Sequence, residues 1–201
     1  MHASLRMAFC GRLESDVVDP PLDVQPAGAA VGVPLTAQEA QAYEVTAPND
    51  LSLTALAYVR ARNADPMCSF GDFAAISHPV DVATAKVFKT AVCDGIIAPG
   101  FEPEALEILK SKKKGAFIIL QADINFEPPT VEFRDMFGVT FAQKRNDAVF
   151  SAATHLQDCR SGDPNISEEA ARDLVLASIA IKYTQSNSVG YAKNGQVRFL
   201  I

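Results

Sequence analysis

From residue 36 onward the apolar positions fall into short segments with clear boundaries. Thr36 followed by Glu39 forms a capping box and predicts a helix through about residue 44. A second helix is predicted over 51–64, "LSLTALAYVRARNA". "CSFGDFAAIS" (68–77), rich in aromatic and small residues, reads as a buried strand. Across 81–94, Val82, Ala85, Val87, Phe88 and Val92 recur at helical spacing near one face. "GIIAPG" (95–100) reads as a short strand stopped by Pro99 and Gly100. Residues 102–113 read as a helix with acidic residues first and lysines last, the order its dipole favours. "GAFIILQAD" (115–123) is a continuous apolar run, as expected of a strand buried on both faces. Residues 131–145 alternate like a strand or bent hairpin, and Asn165 with Glu168 is read as capping the helix that "SEEAARDLVLASIAIKYTQS" forms. Near the end, "KNG" is a hairpin turn between two strand-like runs. Before residue 30 the periodicity is weak and Pro20, Pro21 and Pro26 intervene, which predicts extended or partly disordered chain. The alternation of strands and helices makes the fold class α/β with a mixed or parallel sheet.

A chain of 201 residues suffices for one substantial core or two small ones. Its 48% hydrophobic and 21% charged residues are those of an ordinary globular protein. The net charge is −6, and the longest basic run, "KSKKKG" at 110–115, reads as a solvated helix end. A phosphate footprint needs a clustered basic face, so broad nucleic-acid binding is not expected. No apolar run reaches the ~18 residues of a spanning helix, and the amino terminus lacks a continuous secretory apolar region. Cys10, Cys68, Cys93 and Cys159 are widely spaced with no C-x-x-C, as for free thiols in a reducing cytoplasm.

Neither phosphate-loop pattern, G-x-x-x-x-G-K-[ST] or G-x-G-x-x-G, occurs. The H-x-E with P-C-x-x-C of zinc deaminases is missing, His2, His78 and His155 lack metal-ligand spacing, and no G-x-S-x-G is present. Three polar or glycine-containing corners remain. In "SFGDF", Gly71 either lets a backbone N–H approach a ligand or makes a tight sheet bend. Asp94 in "CDGIIAPG" falls at the end of a predicted helix, against the dipole, as a carboxylate for ribose-type hydroxyls or as a turn residue. "KYTQSNSV" sets five polar side chains between an apolar helix and a strand, for a ligand or an internal network. A fourth stretch, "PPLDVQPAGAAVGVPLT" (20–36), looks built for close packing around a ligand, yet Asp23 is its only ionisable side chain.

At "KYTQSNSVGYAKNGQ" (182–196) the chain closely resembles the AICAR transformylase domain of the bifunctional AICAR transformylase/IMP cyclohydrolase family. The resemblance extends back through "RDLVLASIAIKYTQSNSV", "FAQKRND", "DGIIAPGFEPEALEILKSKKKG", "ARNADPMCSFGDFAAIS" and "PAGAAVGVPL". Six blocks in the correct order are specific together, and they cover about residues 22–197, leaving 1–21 and 198–201 unmatched. The resemblance implies formyl transfer from 10-formyltetrahydrofolate to AICAR in purine biosynthesis, with ring closure by a separate cyclohydrolase domain. It implies cytidine-deaminase-like, three-layer α/β/α subdomains without zinc, of which this chain holds one and the start of a second. It also implies a cytosolic homodimer with no covalent cofactor. Carried over by residue, Gly71, Asp94 and Asn187 match AICAR contacts, Met67 and Phe70 match the neighbouring folate pocket, and Thr184 lies in a segment that contributes to a potassium site in some members.

The match departs at two places. Where the family has Lys-His, this chain has Leu22 and Asp23. In the family the histidine takes a proton from the AICAR amine, and the lysine stabilises charge on the formyl oxygen. Leu22 offers no charge. Asp23, with an ordinary pKa of ~3.9 against ~6.5 for His, is a weaker base by about 2.6 units, roughly 3.5 kcal/mol of proton affinity. Loss of one oxyanion stabiliser commonly costs ~10²–10³ in rate. After "KNGQV" the chain stops at "RFLI", where the family continues into folate contacts, and no cyclohydrolase domain precedes the match. The expectation is a chain inactive alone, with an uncovered hydrophobic face. The alternatives are a non-catalytic AICAR-binding or dimerisation module, or a truncated gene product.

Overall fold

A computed structural model describes residues 7–11, 26–45, 50–67, 69–158, 160, 162, 164–184 and 187–200. The strands are β1 (Met7–Gly11), β2 (Pro26–Ala30), β3 (Asp72–Ile76), β4 (Cys93–Ala98), β5 (Ile118–Gln121), β6 (Val131–Met136), β7 (Val139–Lys144), β8 (Gly190–Ala192) and β9 (Val197–Leu200). The helices are α1 (Ala37–Ala42), α2 (Leu53–Asn63), α3 (Val82–Thr90), α4 (Pro103–Lys110), α5 (Ala152–His155) and α6 (Glu168–Lys182). Five strands form one sheet in the order β2-β1-β3-β4-β5, parallel throughout, and β6–β7 and β8–β9 are antiparallel hairpins. This is an α/β architecture, a parallel sheet flanked by helices, consistent with a three-layer α/β/α fold.

The core lies under one face of that sheet. Ala74 and Ile76 of β3 and Ile96 and Ala98 of β4 point toward Ala57, Tyr58 and Ala61 of α2, Ala85 and Phe88 of α3, and Ala105 and Leu109 of α4. Tyr58 stacks on Phe88 with ring centroids 3.9 Å apart. α2 is buried along its whole middle, Thr54 to Arg62, as suits a helix with no solvent face. Gly95 is required by close approach: a Cβ there would come within 2.2 Å of the Phe73 ring.

The capping box is present, with Thr36 Oγ1 accepting from Glu39 N and Glu39 Oε2 accepting from Thr36 N at 2.8 Å. The "KNG" turn is also as expected. Asn194 and Gly195 both have positive φ (53° and 67°), the I′ geometry that matches strand twist. Asp173 of α6 accepts from both their amides at 2.6 Å, and Ala30 N donates to Gly195 O at 2.8 Å. An antiparallel bridge, Ala29 to Gln196, attaches the second hairpin to β2.

Several expectations are corrected. Residues 7–11 and 26–30 are strands of the central sheet, and β1 lies inside it between β2 and β3. "MAFCG" and "PAGAA" are too short and too rich in small residues for alternation to show. α3 ends at Thr90, leaving Val92 half-exposed, and Cys93 already begins β4. α6 is capped by Ser167, whose Oγ accepts from Ala170 N, and not by Asn165. β5 is an edge strand among the described residues, with Ile118 and Leu120 about half exposed, so its apolar run is not buried on both faces. Residues 131–145 do form a hairpin, turning at Phe137 and Gly138, and apolar side chains such as Phe133 stand in solvent. No helix among the described residues is long and apolar enough to cross a membrane.

Two phenylalanines should report this layout. Phe88→Ala, emptying the fully buried core, should cost about 3–5 kcal/mol in urea unfolding. Phe133→Ala, on the exposed hairpin, should cost under about 0.5 kcal/mol. Equal losses would contradict the assignment of the core to the α2–α3–α4 face.

Candidate functional site

Two of the residues singled out in the sequence meet at the amino-terminal edge of the parallel sheet. Gly71 precedes β3 with φ +77°, the left-handed region, and a Cβ there would lie 3.8 Å from Asp94 Oδ2. Asp94 is not at a helix end. It is the extra residue of a β-bulge: Asp72 pairs with Cys93 and Phe73 with Gly95, leaving Asp94 unpaired between them. The bulge turns its carboxylate out of the sheet, where it is half-exposed and ion-paired with Lys113. The Gly71 N–H is donated to Val92 O at 3.0 Å, so it is used inside the protein. What Gly71 offers a ligand is an open α-carbon beside a carboxylate.

Lys113 reaches Asp94 from a 3₁₀ turn, Lys112–Gly115, in which Lys113 and Lys114 both hold positive φ (48° and 55°). Lys112 pins that turn by donating to Ala91 O at 2.6 Å and Lys89 O at 3.4 Å, carbonyls at the end of α3. An ion pair as exposed as Lys113–Asp94 contributes little and exchanges readily for ligand contacts.

Met67 and Phe70 lie just before Gly71 in the chain and are 87% and 73% exposed. Asn187 follows α6. The first turns of α6 lie beside Ala30 and Gly195, and Ala180 packs with Val197, so α6 runs antiparallel to β2 and ends toward Pro26. Asp94 lies on β4, separated from β2 by β1 and β3. Thr184 Oγ1 donates to Ile181 O at 2.8 Å. It brings a single oxygen, which does not by itself fit a potassium ion that several oxygens must surround. No cluster of three His, Cys, Asp or Glu side chains suited to a metal occurs among the described residues. Leu22 and Asp23 lie outside the described residues.

Beneath this edge is a buried polar group that the sequence reading passed over. Arg62 Nη1 pairs with Asp72 Oδ1, with both side chains nearly inaccessible. Arg62 Nη1 also donates to Tyr58 Oη at 3.3 Å and Nη2 to Val92 O at 2.9 Å. Tyr58 Oη donates to Asp72 Oδ2 at 3.5 Å. Burial pushes the Tyr58 hydroxyl well above its ordinary range, with Asp72 and Cys93 adding to the effect and Arg62 opposing it. Burial likewise pushes the Cys93 thiol up, partly opposed by Lys112. The signal in the sequence was the placing of Asp72 inside an apolar strand and Arg62 inside an apolar helix, since buried charges require partners.

A group whose proton is held more tightly in the folded chain stabilises it at low pH and loses that contribution as pH rises past the unfolded value. For Tyr58 the loss should begin near pH ~10 and for Cys93 near ~8.5. Urea unfolding of the whole chain should therefore show stability falling between about pH 8.5 and 11. Tyr58→Phe should fall less over the upper part of that range; an identical slope would remove Tyr58 from the account.

Comparison with known proteins places the chain in a family. The family model of the AICARFT/IMPCHase bienzyme matches residues 23–198. Bifunctional purine biosynthesis protein PurH of Oenococcus oeni is 34% identical over 140 residues, covering 70% of this chain and 27% of the relative. PurH of Leuconostoc mesenteroides is 31% identical over 140 residues with the same coverage, and that of Persephonella marina 28% over 138 residues. The chain spans about a quarter of the length of the curated relatives it matches. The chain belongs to the AICARFT/IMPCHase bienzyme family.

Proposed function

We propose that the amino-terminal sheet edge binds AICAR as part of a purine-biosynthesis formyltransferase, and that the polypeptide as it stands transfers formyl groups poorly. The observation that carries the reading is the placing of Gly71 beside Asp94, where a Cβ on Gly71 would stand 3.8 Å from Asp94 Oδ2: a bare α-carbon next to a solvent-facing carboxylate aimed by a bulge. In this reading Asp94 leaves Lys113 and accepts from ribose hydroxyls, and Gly71 allows the sugar to approach the backbone. Asn187, past the end of α6, hydrogen-bonds the other end of the nucleotide. The exposed Met67 and Phe70 give a flat apolar surface to the pteridine of 10-formyltetrahydrofolate. The setting is a cytosolic homodimer, with neither nucleic acid nor membrane as partner.

The chemistry turns on Leu22 and Asp23. The AICAR amine is a poor nucleophile and needs a base as it attacks, while negative charge grows on the formyl oxygen. Leu22 contributes nothing to that charge, and Asp23 places a like charge near it. On the measure of one lost oxyanion donor, turnover should fall at least ~10²-fold below a relative that carries Lys-His. Those two positions favour a second reading as well, a family member kept for nucleotide binding or subunit pairing.

Calorimetric titration of the whole chain with AICAR, next to Asp94→Ala, tests the proposal. Loss of hydrogen bonds to a carboxylate should weaken binding roughly 10- to 100-fold. Unchanged affinity in Asp94→Ala would remove this edge as the nucleotide site. A formyl-transfer rate equal to that of a Lys-His relative would overturn the catalytic part.

A further inference from the structure

We infer that Arg62 is a positioning residue for the Gly71–Asp94 pair, and that it acts as a clamp on both ends of the turn that carries Met67 and Phe70. The inference rests on the nucleotide reading of that edge. One end of the turn is fixed on the Arg62 backbone: Ser69 Oγ donates to Arg62 O at 3.1 Å and to Asp65 O at 2.8 Å. The other end is fixed on its side chain, through the ion pair with Asp72, the residue next to Gly71. Asp72 N also donates to Ser69 O at 3.3 Å, so the two ends close on each other.

The same guanidinium sets the spacing between the two strands at the site. Val92 O accepts from Arg62 Nη2 at 2.9 Å and from Gly71 N at 3.0 Å. Val92 lies two residues before Asp94, so one carbonyl, held from below by Arg62, ties the Gly71 corner to the start of the bulge. Three acceptors at fixed directions, Asp72, Tyr58 and Val92, match the planar fork of Arg and cannot all be met by the single nitrogen of Lys. Arg62 touches no ligand in this arrangement. It decides where Gly71 and Asp94 stand.

A control is built into the same helix. Arg60 is as deeply buried, yet its side chain points to the opposite side of α2 and serves the second hairpin, donating to Asn194 O at 2.6 Å and Gly195 O at 3.3 Å. The test compares Arg62→Lys with Arg60→Lys in the whole chain, at a temperature where both are folded by circular dichroism. AICAR affinity is measured by calorimetry and Gly71 amide protection by hydrogen exchange. The expected result is about tenfold weaker AICAR binding and lost Gly71 protection in Arg62→Lys, with both near wild type in Arg60→Lys. Should Arg62→Lys not fold, Arg62→Met combined with Asp72→Asn removes both charges together and is expected to give the same two losses. Unchanged affinity in the Arg62 variant, or equal weakening in Arg60→Lys, would overturn the inference. If wild type itself does not bind AICAR, the nucleotide reading fails. The exchange arm then decides for Arg62: intact Gly71 protection in Arg62→Lys would refute the clamp, and its loss would support it.

Discussion

The arrangement of the sheet edge depends on one buried ion pair, Arg62 with Asp72. A charged pair withdrawn from water persists only when its remaining hydrogen-bonding capacity is used, and here it is: Tyr58 and Val92 O take the other donors of Arg62, and Tyr58 shares Asp72. Burial pushes the Asp72 carboxyl up while Arg62 draws it down. Burial alone would lower Arg62, but Tyr58 and Asp72 beside it more than offset that. The pair joins α2, β3 and the approach to β4, three elements brought together only by folding. The pair sits where a helix buried along its middle, a strand beginning with a carboxylate and the bulge that turns Asp94 outward meet.

A second buried arginine does the corresponding task at the other end of the molecule. Arg60 sits 3.6 Å from Glu39 and donates to the turn at Asn194 and Gly195, while Gln196 donates back to Arg60 O. These contacts close a sequence separation of more than 130 residues. They also explain why the hairpin at the end of the chain is joined to β2 and to α6, where Asp173 holds the same turn. Two arginines two positions apart on one helix project about 200° apart, so a single helix organises both flanks of the sheet.

Much of this was legible in the sequence because local chemistry wrote it there. Thr36 and Glu39 specify a helix start by themselves, the α4 charges follow the dipole, and Asn194–Gly195 names its own turn. What escaped depends on partners distant in the chain. β1 and β2 are runs of small residues whose strand character comes from neighbours on either side. β5 has the composition of an inner strand, but composition carries no information about which strand lies at an edge. The corner at Gly71 and the carboxylate at Asp94 could be picked out as unusual, yet their adjacency rests on a one-residue bulge that no periodicity reveals. Arg62 and Asp72 were readable as buried charges in search of partners; that they partner each other was not.

A sheet edge held by Arg62 and Asp72, as proposed, would be a nucleotide site already formed in the folded chain. The most direct test is thermal unfolding of the whole chain over a series of AICAR concentrations. A ligand that binds only the folded state stabilises it by RT ln(1 + [L]/Kd), about 2.7 kcal/mol at 100 times Kd. The account predicts a single cooperative transition whose midpoint climbs steadily with AICAR. A midpoint that stays put up to millimolar AICAR would contradict it.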